Sequence, residues 1–198
     1  MAQTVEVAKG NKLERAHSMD RALKDRLISW SGAVVAVVMV ALGGVAIFGG
    51  SFALDNVRDR LEPQNISFPP IEEMTPAEKT DLGEFAGQKV DTGTEAEAFS
   101  RYIGGHLGEV NEGATYSETS SAARVEGLPK AEAADLQEKA DTLFKGETLR
   151  GILLNAYGWW TVGQITFFAG IGMVIAGLAL ALFAALGFKH ALRARETS

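Results

Sequence analysis

Apolar and polar positions divide the chain into five zones. No Asp, Glu, Lys or Arg occurs between positions 27 and 54, or between 151 and 188. A helix needs roughly 20 apolar residues to cross the hydrocarbon core of a bilayer, and both runs exceed that. Between them, short apolar stripes alternate with charged clusters. The pattern predicts an all-α membrane protein in which two transmembrane helices flank a small helical extracytoplasmic domain. Its expected zones are a cytoplasmic tail with an amphipathic helix (1–28), a first span (29–50), an acidic outer domain (51–160), a second span (161–187) and a basic cytoplasmic tail (188–198). The first apolar run is far longer than the 7–15-residue core of a cleaved signal peptide, so it is expected to be a retained anchor.

Positions 1–10 read as disordered. Leu13, Ala16, Met19, Leu23, Leu27 and Trp30 then recur at spacings of three and four, one face of a helix suited to a membrane surface. The first span is expected to continue outward through Leu54, Val57 and Leu61 until Pro63 ends it, with 63–70 an extended linker pressed on a surface. Thr75-Pro76-Ala77-Glu78 is a capping box with proline at the first helical position. Thr94 and Glu97 read as a second box, opening a helix over 95–112. Its predicted inner face is Phe99, Tyr102, Ile103, His106 and Leu107, and its stop is Gly113. A weaker helix is predicted over 117–126, and an Ala-rich one over 130–145 with Leu136, Leu143 and Phe144 inward.

Charge sets the expected orientation. The first 28 residues hold six Lys/Arg against four Asp/Glu, the last eleven three against one, and residues 51–163 ten against twenty. Basic flanks stay on the cytoplasmic side. Lys12, Arg15, Arg21, Lys24 and Arg26 precede the first run, while Lys189, Arg193 and Arg195 follow the second. Both termini therefore read as cytoplasmic, in a multi-pass protein of the cell membrane. Trp30, Tyr157, Trp159 and Trp160 fall where interfacial aromatic anchors belong. An acidic outer domain repels phosphate, so nucleic acid is not an expected partner. The chain has no cysteine, so disulfides hold none of it.

Groups that carry chemistry are sparse. His106 and Glu109 form His-x-x-Glu on one helical face, the best metal candidate in the outer domain. A metal site ordinarily takes three or four ligands, and His106 lies on the apolar stripe, so a core histidine is the expectation and no metal or other cofactor is assigned. The glycines Gly104 and Gly105 just before it suggest close approach of a neighbouring element. The pairs Glu72/Glu73 and Glu95/Glu97 sit in polar stretches or at helix starts, where carboxylates complement the helix dipole. No nucleophile elbow, dinucleotide-binding glycine motif, P-loop or zinc-protease motif occurs, and no catalytic residue is assigned. Neither apolar run contains an ionisable residue of the kind that ion and proton pathways use.

What the second run does contain is a seam of small residues. Ala156, Gly163, Gly170, Gly177 and Ala184 fall at intervals of seven, a period that keeps them along one side of a left-handed helix pair. In the first run, Gly32-x-x-x-Ala36 and Gly43-Gly44 offer a matching surface. The two spans are expected to pack on each other, leaving Ile165, Phe168, Ile175, Phe183 and Leu186 for lipid or a partner.

Several phrases resemble a family of small two-span actinobacterial membrane proteins of unknown function. They are Phe68-Pro69-Pro70, Gly87-Gln88-Lys89-Val90, Tyr102-Ile103 with His106-Leu107, Thr115-Tyr116-Ser117, and the stretch from Glu147 to Gly158. The resemblance covers roughly 28–190 and implies a layout, an outer helical domain between two spans. It implies no activity, cofactor or catalytic residue. The resulting expectation is a non-enzymatic structural or accessory subunit of a larger envelope complex, a respiratory one being the case considered. Its partners are then the bilayer and other membrane subunits or a second copy. The alternative is an extracytoplasmic ligand- or metal-binding or sensor module centred on His106, with Glu109 and Tyr116.

Overall fold

Local capping chemistry fixes most of the helix starts. In the computed structural model, the backbone is described for residues 2–196, and side chains for 23–192 except 25 and 191. All the regular elements among these residues are helical: α1 (Ala2–Leu61), α2 (Pro76–Leu82), α3 (Gly93–Val110), α4 (Tyr116–Ala122) and α5 (Lys130–Glu196), with single 3₁₀ turns at Glu62–Gln64, Ile71–Glu73 and Gly83–Phe85. The chain divides into two compact units, 1–49 with 166–198, and 50–165.

The Thr75 N–H donates to the Glu78 carboxylate at 2.8 Å and the Glu78 N–H to the Thr75 hydroxyl at 3.3 Å, which opens α2 as the sequence predicts. For α3 the sequence-based start is two residues late. Its N-cap is Thr92, whose N–H donates to Glu95 at 2.7 Å, while Glu97 pairs with Arg101 at 3.1 Å instead of capping. Thr115 and Glu118 form a third box and start α4 at Tyr116. Gly113 and Gly127 have positive φ (83° and 86°) after α3 and α4, conformations that a side chain would strain.

Three further expectations change. Helix α1 begins at Ala2, so positions 2–10 are helical rather than disordered. The side chains of Leu13, Ala16 and Met19 lie outside the described residues, whereas Leu23, Leu27 and Trp30 are exposed. Nothing separates an Ala-rich helix at 130–145 from the second apolar run, since α5 continues unbroken through Gly146 and Gly151. Most of 63–70 is exposed, as a surface linker requires, but the segment is also paired. Phe68 donates its N–H to Gln88 and Val90 to Ile66, both at 2.9 Å, around an isolated antiparallel bridge between Ser67 and Lys89. That pairing drives the Phe68 ring inward, where it is only 3% exposed.

The core of the 50–165 unit is built around that ring. Phe68 stacks on Phe85 (centroids 5.4 Å apart) and meets Phe99 edge-on (5.1 Å). Val57 and Leu61 of α1, Met74, Leu82 of α2, Val90, Ala96 and Ala98 of α3, and Leu153 and Trp160 of α5 complete it. Helices α3 and α5 run antiparallel: Gly93 lies against Trp160, the Ser100 carbonyl accepts from Arg150 Nε at 3.1 Å, and Leu107 covers Gly146. The contact therefore recurs every seven residues along α3, the spacing of knobs-into-holes packing.

The other unit pairs the N-terminal part of α1 with the C-terminal part of α5. Both helices are long and apolar enough to cross a membrane, and only 11% of the most apolar 18-residue window of each is buried. Val37, Val45 and Phe48 on α1, and Phe168, Ile175 and Phe183 on α5, are exposed.

Candidate functional site

The long helices α1 and α5 meet where backbone approaches backbone. Within the 1–49/166–198 unit, a Cβ added to Gly170 would stand 2.7 Å from the Gly43 carbonyl oxygen and from the Ile47 nitrogen. One added to Gly43 would stand 2.8 Å from the Gly170 carbonyl oxygen, and one on Gly177 3.0 Å from that of Ala36. Real Cβ atoms do not approach so closely, so only glycine fits. Ala184 is buried beside Gly32, and Gly187 meets Ser29. In the 50–165 unit, Gly163 faces Ala53, Leu54 and the Gly50 carbonyl, and Ala156 packs against the core. All five small residues of α5 thus lie against α1 or the core it shares.

The matching stripe on α1 is a finding beyond the sequence reading. Ser29, Ala36, Gly43, Gly50 and Val57 are all buried and all seven apart. The signal was present in the sequence at the same period as on α5. Reading α1 through the pairs Gly32/Ala36 and Gly43/Gly44 obscured it: a Cβ on Gly44 would meet nothing within 4 Å, so Gly44 is not part of the contact.

The expected aromatic anchors separate. Trp30 is exposed and meets Phe188 edge-on at 5.7 Å. Tyr157 and Trp159 are exposed. Trp160 is not an outward-facing anchor: it is 8% exposed, packed on Gly93, with the Arg58 guanidinium 5.9 Å from its ring centre. Its Nε1 is buried without a hydrogen-bond partner. Burying an indole of 150–250 Å² at about 25 cal/mol per Å² stabilises by roughly 4–6 kcal/mol. That exceeds the roughly 1–3 kcal/mol cost of an unpaired donor, so the ring stays in the core.

His106 is a second correction. Its side chain is 56% exposed, not buried, with Nδ1 3.5 Å from Glu78 of α2 and the ring 4.5 Å from that of Tyr102. The neighbouring carboxylate is Glu78, not Glu109, which is exposed. Tyr116 is elsewhere, packed on Phe144 of α5 at 5.5 Å. Phe144 is itself exposed, although the sequence placed it inward. Among the described residues no three His, Cys, Asp or Glu side chains converge as metal ligands would. The fully buried residues of α3 are Gly93, Ala96, Ala98, Ser100 and Leu107, while Phe99, Tyr102 and Ile103 are half-buried. The close approach expected at Gly104 comes from the Arg150 guanidinium, and Gly105 is open.

Electrostatics in this unit is capping chemistry. The Thr75 N–H, then its hydroxyl, hold the Glu78 carboxyl below its ordinary value, and Thr115 does the same to Glu118. Burial, reinforced by the charges of Glu78 and Glu73, raises the Tyr102 phenol. Glu72 and Glu73 are exposed in a 3₁₀ turn. None of these groups is arranged as an acid–base pair. Comparison with protein-family models, curated proteins and solved structures gives no match.

Proposed function

We propose that the chain is a two-pass protein of the cell membrane, with both termini cytoplasmic and residues 51–160 outside, serving as a non-enzymatic accessory subunit of a larger envelope assembly. The observation that carries this reading is the direction in which the apolar side chains point. The core helix of a soluble protein buries its apolar surface. Here only 11% of the most apolar window of each helix is buried, and its large side chains are mostly exposed. Water does not tolerate so large an exposed apolar surface, whereas lipid and other spans do. Basic residues flank the outer ends of both apolar runs, and the acidic residues concentrate between them, which supports the orientation. The Gly-lined contact between the helices supports a structural role: without water to drive association, membrane helices pair through close van der Waals contact.

The native chain has no cysteine, so single cysteines report location cleanly. Ser117 is exposed on α4. A membrane-impermeant thiol reagent applied to intact cells should label Ser117→Cys and leave Ser18→Cys and His190→Cys unlabelled. Labelling of the latter two alone inverts the orientation, and labelling of all three only after lysis, in the soluble fraction, removes the membrane reading.

A further inference from the structure

Gln164 is a polar residue facing outward within the charge-free part of α5. It is exposed, five residues inward of Trp159 and next to the seam residue Gly163. Five residues of helix span about 7–8 Å, which sets this carboxamide below the aromatic Trp159 on the hydrocarbon side. A primary amide carries two donors and an acceptor with two lone pairs. None has a partner among the described residues. Thr161, one turn away, satisfies its own hydroxyl by donating to the Tyr157 carbonyl at 2.9 Å. In hydrocarbon an unsatisfied amide is disfavoured, and Gln side chains there hydrogen-bond across helix interfaces.

We propose that Gln164 is the contact point of a parallel homodimer, in which α5 of a second copy lies along this face and the two Gln164 carboxamides bond each other. The inference rests on the two-pass reading above. The choice of occupant follows from symmetry and from chemistry. Copies inserted in the same orientation are related by a two-fold axis along the membrane normal, and a two-fold contact sets each residue opposite itself at equal depth. The group placed there must then complement itself. A carboxamide does, donating from its NH₂ and accepting on its C=O, whereas a carboxylate or an ammonium does not. Tyr157, seven residues away and exposed, falls on the same face and should also meet its counterpart.

The test is oxidative cross-linking in native membranes of the full chain carrying Tyr157→Cys, with Val162→Cys as control. Val162 is exposed and lies about 160° around the helix from Gln164. The expected result is a disulfide-linked dimer from Tyr157→Cys, none from Val162→Cys, and at least a tenfold loss of dimer when Gln164→Leu is added to Tyr157→Cys. Equal cross-linking at both positions, no cross-linking at Tyr157→Cys, or a yield unchanged by Gln164→Leu overturns the proposal. An amide that reaches the water interface instead of a second copy gives the second of these outcomes. Each variant is first recovered in the carbonate-resistant membrane pellet. Absence of the unsubstituted chain from that pellet counts against the two-pass reading, whereas a variant present there without cross-linking counts against the dimer alone.

Discussion

Phe68 shows how one side chain organises the unit it sits in. It touches Phe85, Phe99 and Tyr102, bringing together the segment after α1, the 3₁₀ turn after α2, and α3. Removing the ring leaves a cavity between these neighbours. Phe68→Ala should destabilise by about 3–5 kcal/mol, the range for truncating a well-packed aromatic. Phe99→Ala, at a half-buried site, should cost less. Chemical denaturation of the two variants in the same detergent gives the order, and an equal or reversed order would show that the core is centred elsewhere. At this scale the sequence was legible wherever the signal was local. Thr75 and Glu78 cap α2 as their spacing requires. The phrase from Thr92 to Glu97 holds two overlapping boxes, and the choice between them is tertiary: the first residue of α3 must be the glycine beneath Trp160. His106 was misplaced for a related reason. Its three-and-four spacing fits two faces of α3, and the more deeply buried one is chosen by the seven-residue contact with α5.

At the scale of elements, short helices depend on their caps and long ones on their contact surfaces. The Glu78 and Glu118 carboxyls are held below their ordinary value of 4.5 by the N–H groups and hydroxyls they cap. A carboxyl with a depressed folded value contributes stability that is complete above the unfolded value and lost as pH falls through the folded one. Unfolding midpoints should therefore fall on the acid side of about pH 4.5, and Glu78→Gln with Glu118→Gln should flatten that part of the profile. An unchanged profile would assign the acid sensitivity to other carboxyls. For the long helices, the test is Gly170→Leu against Ala179→Leu. The first places a branched side chain where even a Cβ would stand 2.7 Å from two backbone atoms of α1, and the second substitutes an exposed position. Gly170→Leu should lower the melting temperature in detergent and the control should not. Equal behaviour would make the seven-residue spacing a by-product of a glycine- and alanine-rich helix.

At the scale of the whole molecule, two long charge-free runs and an acidic middle were enough to anticipate an all-helical chain with two helices long and apolar enough for a membrane. The continuity of α5 was not legible. On sequence the Ala-rich helix ends at 145, just before Gly146, and a glycine weakens a helix by roughly 1 kcal/mol relative to alanine. The Leu107 side chain occupies the space a Cβ at position 146 would need, and that is known only once α3 is in place. The seam on α1 was missed for a different reason. Its members include serine and valine as well as glycine, and a period of seven was sought on one helix only.

That seam also constrains how the sequence can change. At Gly43 and Gly170 each helix supplies the surface that excludes a side chain from the other. Enlarging a residue on one side requires a simultaneous loss of volume on the other, and at glycine no volume remains to be lost. These positions cannot drift singly, as the outward-facing valines, leucines and phenylalanines are free to do. The two helices, distant in sequence, are bound to evolve as one surface.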